Sequence, residues 1–179
     1  MEYKYVNCHM SNTILKTYMY VQSDMKDIHV YDNATRTWYT QQATASNDTF
    51  PPNRVEACAV VASAPDHSSH NIYVYGGIST VTIGEVWILT LPTFHWVRPG
   101  SGVDLTRTGH SCTKFRGTYM LVYKGSSDLS NTHCDYNAGV QLMDLTTLQW
   151  ASEIGPGGGD QADGVYKVPE VVYNIIGGG

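Results

Sequence analysis

An eleven-residue phrase occurs three times in this 179-residue chain and constrains its fold more than any other feature. The copies, residues 28–38, 86–96 and 140–150, align without a gap and begin 58 and 54 residues apart. Each copy has a short apolar stretch, a polar turn and a Trp at its tenth position after the start. Asp32 and Asp144 stand where an Asx-type turn needs a side-chain acceptor. The phrase predicts a β-hairpin closed by an aromatic residue. The recurring aromatic residues are Trp38, Trp96 and Trp150.

A second repeated phrase precedes the hairpin and contains glycine. Residues 71–77 form a β-rich run that ends in Gly76 and Gly77, and residues 119–125 repeat it with only Gly125 retained. A tight turn after a strand needs a positive φ or a close backbone approach, and glycine supplies both without strain. Upstream, an Arg precedes another predicted strand in each unit. These two residues are Arg54 and Arg107.

Each unit therefore has four short strands, with glycine after the second strand and Trp in the fourth. A period near fifty residues with this content is the kelch pattern of a β-propeller blade, in which the Trp packs one blade on the next. The predicted fold class is all-β, a partial kelch-type β-propeller of about three four-stranded blades with a short C-terminal strand or helix. The predicted blade region is 1–154, divided into a partial blade one at 1–42, blade two at 53–98 and blade three at 107–154.

The segment at 155–179 is predicted to leave the last blade through a Gly-rich stretch and to close the fold. A short strand is expected at 165–168. Pro169 suits the first turn of a helix, and Gly177 suits its end. Between them an apolar helical face is predicted, formed by Val171, Val172, Ile175 and Ile176. The polar stretch at 41–52 is predicted to be a loop between blades.

Composition limits the functional classes. The net charge of −5, with Lys and Arg scattered singly, argues against binding to nucleic acid or to an anionic membrane surface. No secretory signal or apolar run of transmembrane length is recognised. No metal-ligand spacing or nucleophile arrangement recurs, so no cofactor and no enzymatic activity are predicted. Because propellers close with about four to eight blades, we expect a fragment or shortened product whose partners include the remaining blades.

Residues 25–150 resemble the C-terminal blades of fungal kelch-repeat proteins of the galactose-oxidase-like propeller superfamily. The resembling segments are MKDIHVYDNATRTWYTQ, CAVVASAPDHSSHNIYVYGG, VWILTLPTFHWV and RTGHSCTKF. The ending VYKVPEVVYNIIGGG is similar to the segment that follows the last blade in that family. The resemblance implies a propeller anchored at the cell surface, with a transmembrane helix beyond the present C-terminus, and it implies no chemistry.

Two functional classes follow. Every recurring residue has a packing or turn role, which favours a non-catalytic binding or scaffold module that presents loops to a protein or carbohydrate partner. The alternative is a galactose-oxidase-like copper radical oxidase, which the superfamily resemblance suggests. Such a site would need two His, a free Tyr and a Tyr linked to a Cys, and no segment matches the family's ligand motifs. Fold alone does not carry function.

Two kinds of covalent modification are predicted. Cys112 and Cys134 are candidate disulfide partners, because both belong to one small sheet and its long loop. Cys58 is taken to hold the same blade position as Cys112, and the alternative is that Cys112 and Cys134 are independently buried thiols. Asn33 and Asn47 begin glycosylation sequons on predicted turns, which would accept glycans in a secreted protein.

Overall fold

The computed structural model describes residues 24–100, 105–127, 139–151 and 165–177. These residues form three β-sheets and one α-helix. The first sheet contains β1 (Asp27–Asp32) and β2 (Thr37–Gln42). The second sheet contains β3 (Thr44–Ala45), β4 (Cys58–Ser63), β5 (His70–Tyr75), β6 (Val86–Leu91) and β7 (His95–Val97). The third sheet contains β8 (Ser111–Phe115), β9 (Tyr119–Tyr123), β10 (Val140–Asp144) and β11 (Trp150–Ala151), and the helix α1 spans Glu170–Ile176.

The sheets correspond to three blade units, which we name blade one, blade two and blade three in chain order. In blades two and three, four consecutive strands pair antiparallel in the order of the sequence. This arrangement confirms the predicted all-β fold and fits a partial β-propeller. The predicted blade-one residues before 24 and the Gly-rich stretch at 155–164 lie outside the described residues.

The repeated phrase forms the hairpin that its turn residues predict. In blade one, β1 and β2 pair antiparallel from Asp27 opposite Gln42 to Asp32 opposite Thr37. The carboxylate of Asp32 accepts hydrogen bonds from the backbone N–H groups two and three residues ahead, at 2.8 and 3.3 Å. Asp144 repeats the turn in blade three, with distances of 2.8 and 3.1 Å.

The stretch at 41–52 is not simply a loop, and that prediction is wrong. The strand β2 extends to Gln42, and β3 then pairs parallel with β7 at the outer edge of blade two. A short 3-10 turn follows at Ser46–Asp48. The Thr44 N–H donates to the carbonyl of Phe94 at 2.9 Å. A two-residue strand has too little length to show an alternating pattern, so its formation depends on the open edge of β7.

Blade two lies between two apolar clusters. Successive side chains of a strand point to opposite faces of its sheet. On β5, Tyr73 and Tyr75 therefore pack towards blade three, whereas Ile72 and Val74 pack towards blade one. The larger cluster combines buried residues of blades two and three with the C-terminal segment. The apolar side chains of blade two are therefore buried only when blades one and three pack against its two faces.

The C-terminal helix begins after Pro169 and ends before Gly177, whose φ is 68°, as the sequence predicts. Val172 is fully buried in the larger cluster, and Val171 and Ile176 pack at its margin, whereas Ile175 is exposed. No helix in the described part of the chain is long and apolar enough to span a membrane.

The strand predicted at 165–168 is absent, so that prediction is wrong. The backbone of this segment hydrogen bonds to a side chain of blade three and does not pair with the edge of a strand. The Lys167 N–H donates to the Thr146 hydroxyl at 3.2 Å. The Tyr166 hydroxyl contacts the Tyr73 hydroxyl at 2.8 Å and accepts from the Asn71 amide at 3.0 Å. The two buried hydrogen bonds of the Tyr166 hydroxyl hold the segment against blade two.

Candidate functional site at the glycine end of the blades

Antiparallel strands place the connecting loops at two opposite ends of the blades. One end carries the segments before each first strand and the turns after each second strand. We name it the glycine end and define it as residues 54–57, 76–85, 105–110 and 124–127. The opposite end, the hairpin end, carries the β4–β5 and β6–β7 loops, residues 64–69 and 92–94.

The two repeated Arg residues hold equivalent turns at the glycine end. Arg54 is a buried side chain whose Nη1 donates to the carbonyl of Gly76 at 3.1 Å. Arg107 donates from Nη1 to the carbonyl of Lys124 at 2.7 Å. Lys124 takes the repeat position of Gly76, and it has a positive φ of 55°. Each Arg thus fixes the carbonyl directly after the second strand of its blade.

Arg54 also joins a polar network around Glu85. Its Nη2 lies 3.9 Å from Oε2 of Glu85, which also accepts the indole N–H of Trp87 at 2.8 Å. Arg98 donates to Oε1 of the same carboxylate at 2.8 Å. Burial lowers the pKa of Arg54, and the Glu85 carboxylate acts in the opposite direction. The Glu85 carboxylate partly offsets the charge of the buried Arg54 cation and lies at the end of the loop after β5.

The repeated glycines leave no space for a side chain. Gly77 has a φ of 99°, and a Cβ built on it would lie 2.6 Å from the carbonyl oxygen of Val55. Gly125 has a φ of 97°, and its Cβ would lie 2.6 Å from the carbonyl oxygen of Thr108. The Gly77 N–H also donates to the carbonyl of Arg107 at 2.8 Å. Gly77 therefore links blade two to blade three.

A buried histidine that the sequence analysis did not single out fills the junction between these blades. The His110 ring lies 5.0 Å, centroid to centroid, from that of Tyr75. Burial lowers the pKa of His110 to about 4, with the Arg107 cation adding to this effect and the Tyr75 backbone opposing it. Aligned by the repeated Arg residues, His110 takes the position of Ala57. That replacement of a small residue by an aromatic one at an aligned position was the available signal.

One exposed part of the glycine end is the loop after β5. Ile78 forms isolated bridges with Val55 and with Thr82, and the Ile83 N–H donates to the carbonyl of Gly77 at 2.8 Å. At the tip, the Val81 side chain is 63% exposed. An apolar side chain is thus presented to solvent by a loop whose base is hydrogen bonded.

The repeated Trp residues have different surroundings. Trp96 is 2% exposed, and its indole N–H donates to the carbonyl of Met25 in blade one at 2.8 Å. Trp150 of blade three lies 4.9 Å from the Tyr75 ring of blade two. Trp38, in contrast, is 68% exposed and packs against Tyr31 of its own hairpin. Within the described residues, the packing between blades predicted for Trp38 is therefore absent.

The predicted Cys112–Cys134 disulfide is wrong, because Cys112 is bonded to Cys58 with a Cα–Cα distance of 5.8 Å. Cys134 lies outside the described residues. The bond joins β4 and β8, the first strands of neighbouring blades.

The error has its origin in the strand register. Cys58 pairs with Tyr75, but the repeat equivalent of Tyr75, which is Tyr123, pairs with Ser111. Cys112 therefore lies one residue beyond the position of Cys58, and a shift of one residue turns a side chain to the other face of the sheet. Cys58 faces blade three and Cys112 faces blade two. The unequal spacing from the repeated Arg, four residues to Cys58 and five to Cys112, was the sequence signal.

The two sequon asparagines lie on exposed backbone turns. Asn33 lies in the turn between β1 and β2. Asn47 lies in the 3-10 turn with a φ of 54°. Neither side chain is covered by a neighbouring strand, so both amides are open to solvent.

The described residues contain no group of side chains that could form a metal site. No group of three or more His, Cys, Asp or Glu in this part of the chain has the arrangement to hold a metal ion. Cys58 and Cys112 are bonded to each other, so neither is free to form the Tyr–Cys link of a copper radical site. The repeated polar residues instead stabilise turns.

The chain is similar to known kelch proteins. It is 32% identical over 181 aligned residues to a Kelch repeat-containing protein of Arthroderma benhamiae, covering 87% of this chain and 26% of that protein. It is 38% identical over 78 residues to Host cell factor 1 of Homo sapiens, covering 42% of this chain and 4% of that protein. The Drosophila melanogaster Host cell factor is 25% identical over 109 residues, covering 56% of this chain and 7% of that protein.

The chain thus spans about a quarter of the length of the first of these relatives and far less of the others. No protein-family model matches it. The sequence repeats and the four-stranded blades nevertheless agree with these similarities. They show that the chain belongs to the kelch-repeat proteins and folds as part of a β-propeller.

Proposed function

We propose that this chain is a non-catalytic module that binds a protein partner through the glycine end of its blades. The observation that carries the proposal is the fixed base and exposed tip of the loop at 76–85. Gly77 and Ile83 hydrogen bond across the base, whereas Val81 is presented to solvent. A loop held in one conformation loses little conformational entropy on binding.

The surroundings of Val81 fit a protein partner. Thr80 beside it is exposed, and other exposed polar groups of the glycine end include Glu56 and Lys124. An apolar contact surrounded by polar residues is typical of protein interfaces, where the rim excludes water from the centre. The charges are of both signs, which favours a mixed protein surface over a polyanion.

Site-specific photo-crosslinking tests this proposal. A photoreactive amino acid is placed at Val81 and, as the matched control, at the exposed Asp66 of the hairpin end. We expect a defined protein crosslink from position 81 and none from position 66. Equal crosslinking from both positions, or crosslinking from 66 alone, would contradict the assignment of the binding surface.

Calorimetry with the crosslinked partner then tests the contribution of the loop. Val81→Asp should weaken binding by about tenfold or more, equivalent to about 1.4 kcal/mol, and Asp66→Ala should leave it unchanged. Loss of binding after enzymatic deglycosylation of the partner would instead identify a carbohydrate ligand.

We further propose that the parent protein is exposed at the cell surface. The Cys58–Cys112 disulfide supports an oxidising compartment, because such bonds persist mainly in secreted and extracellular proteins. The exposed turns at Asn33 and Asn47 are compatible with glycans. Expression through a secretory pathway should add mass that peptide-N-glycosidase removes. Asn33→Gln combined with Asn47→Gln should abolish that mass difference, and a wild-type protein without any added glycan would contradict the proposal.

A further inference from the structure

A buried group of polar side chains lies near the hairpin end of blade two, on the face that packs towards blade three. Its residues are Ser69, Asn71 and Thr90, and none of them is more than 2% exposed. Asn71 on β5 pairs directly with Thr90 on β6, so their side chains are neighbours on one face. The exposed His70 between them in sequence points to the other side, so Ser69 shares the face of Asn71. We name Ser69, Asn71 and Thr90 the polar corner.

Each residue of the polar corner has an oxygen atom without a hydrogen-bond partner among the described residues. The three atoms are Oγ of Ser69, Oδ1 of Asn71 and Oγ1 of Thr90. A buried polar group without a partner is destabilising, and nearly all such groups in folded proteins bond to protein or to ordered water. Three of them in one buried corner therefore indicate a partner that they share.

The C-terminal segment uses only one atom of this corner. The Tyr73 hydroxyl donates to the carbonyl of Leu145 at 2.7 Å, so the Tyr73 oxygen accepts the hydrogen of the Tyr166 hydroxyl. The Tyr166 oxygen in turn accepts from Nδ2 of Asn71 at 3.0 Å. Exchanging the two amide atoms of Asn71 would place Oδ1 against the Tyr166 oxygen and leave an N–H group unpaired instead. Oδ1 of Asn71 is therefore an acceptor that needs another donor.

We infer that the polar corner binds an internal water molecule. The water donates to Oδ1 of Asn71 and accepts from the Thr90 hydroxyl, and the Ser69 hydroxyl is its third partner. The side chains of directly paired residues begin about 5 Å apart, which one water with two hydrogen bonds of about 2.8 Å can span. About three hydrogen bonds are usual for a buried water.

The surrounding side chains fit a small neutral ligand. Ala62 on β4 pairs with Asn71, and the Ala64 N–H donates to the carbonyl of Ser69 at 2.9 Å. Both alanines are buried, so only methyl groups border the polar corner on the β4 side. The corner itself offers two hydroxyls and an amide oxygen, all uncharged. Water, which both donates and accepts, matches this set better than an ion, whose charge would have no buried counter-charge here.

A crystal structure of the full chain, at a resolution that shows ordered water, tests the inference. We expect a water within about 3.2 Å of both Oδ1 of Asn71 and Oγ1 of Thr90. A direct hydrogen bond between the Thr90 hydroxyl and Oδ1 of Asn71 would overturn the inference. A side chain from another part of the chain, bonded to these two atoms in place of water, would also overturn it.

Thr90→Val tests the site in solution, because valine has nearly the shape of threonine but lacks the hydroxyl. Removing a hydroxyl that binds the water should lower the melting temperature by a few degrees, whereas removing an unpaired buried hydroxyl would leave it unchanged or raise it. Thr113→Val is the matched control, since Thr113 is an exposed strand residue of β8, and it should change the melting temperature little. A Thr90→Val variant as stable as the wild type, or more stable, would overturn the inference.

Discussion

Trp96 and Trp38 hold the same position in the repeat but have different environments. Comparing them shows how much the stability contributed by a Trp at this position depends on the neighbouring blade. Trp96 is buried between blades one and two, and its indole N–H is bonded to Met25. Trp38 is largely exposed. The sequence predicts the position of both residues but not the difference in their burial, because burial depends on which blade lies alongside.

Trp96→Ala should lower the free energy of unfolding by about 3–5 kcal/mol, because it opens a cavity between two blades. Trp38→Ala should cost less than about 1 kcal/mol. Denaturant titration of both variants checks the prediction. Equal losses for the two would mean that Trp96 is not an essential contact between blades.

Gly77→Val should prevent folding or lower the melting temperature strongly. A β-branched residue is strained at a φ of 99°, and its Cβ would collide with the Val55 carbonyl. Gly100→Val is the matched control, because nothing lies within 4 Å of a Cβ built at Gly100. Thermal melting compares the two, and similar melting temperatures would contradict the close backbone approach at Gly77.

His110 should make folding sensitive to mild acid. Its pKa in the folded state, about 4, lies below the ordinary value of 6.5. The unfolded chain therefore binds the proton more readily, and the stability contributed by neutral His110 is lost as the pH falls from about 6.5 towards 4. His110→Phe keeps a ring without titration, so its unfolding free energy should fall less over this range than that of the wild type. Identical slopes for the wild type and His110→Phe over this pH range would contradict this role.

At the scale of elements, the repeats predict the strands well because each strand is part of a phrase with its own turn signals. The hairpins, the glycine turns and the helix ends at Pro169 and Gly177 follow from local chemistry. The sequence does not reveal β3, which forms only because β7 has an open edge. It also suggests the wrong partner for Cys112, since the register of β8 differs from that of β4 by one residue at the cysteines.

The Cys58–Cys112 bond should stabilise the blade pair through the loop that it closes. The cysteines are 54 residues apart, for which the chain-entropy model gives about 4 kcal/mol. Replacing both by Ala should therefore lower the unfolding free energy by a few kcal/mol. Reduction of the wild type should have a similar effect, and reduction of the double variant should change nothing further at this site. A double variant as stable as the oxidised wild type would contradict a structural role for the bond.

At the scale of the whole molecule, blade two is stabilised by contacts on both of its faces. One apolar cluster joins it to blade one, and the other joins it to blade three and α1. This stacking keeps the loops of the glycine end at fixed separations, and the proposed binding surface depends on it.

The central claim is that β4 and β8 of adjacent blades face each other across this stack. Mass spectrometry of a non-reduced digest tests it most directly, in protein prepared under oxidising conditions. The arrangement predicts a peptide pair that joins Cys58 to Cys112. A peptide pair joining Cys112 to Cys134, or alkylation of both Cys58 and Cys112, would contradict it.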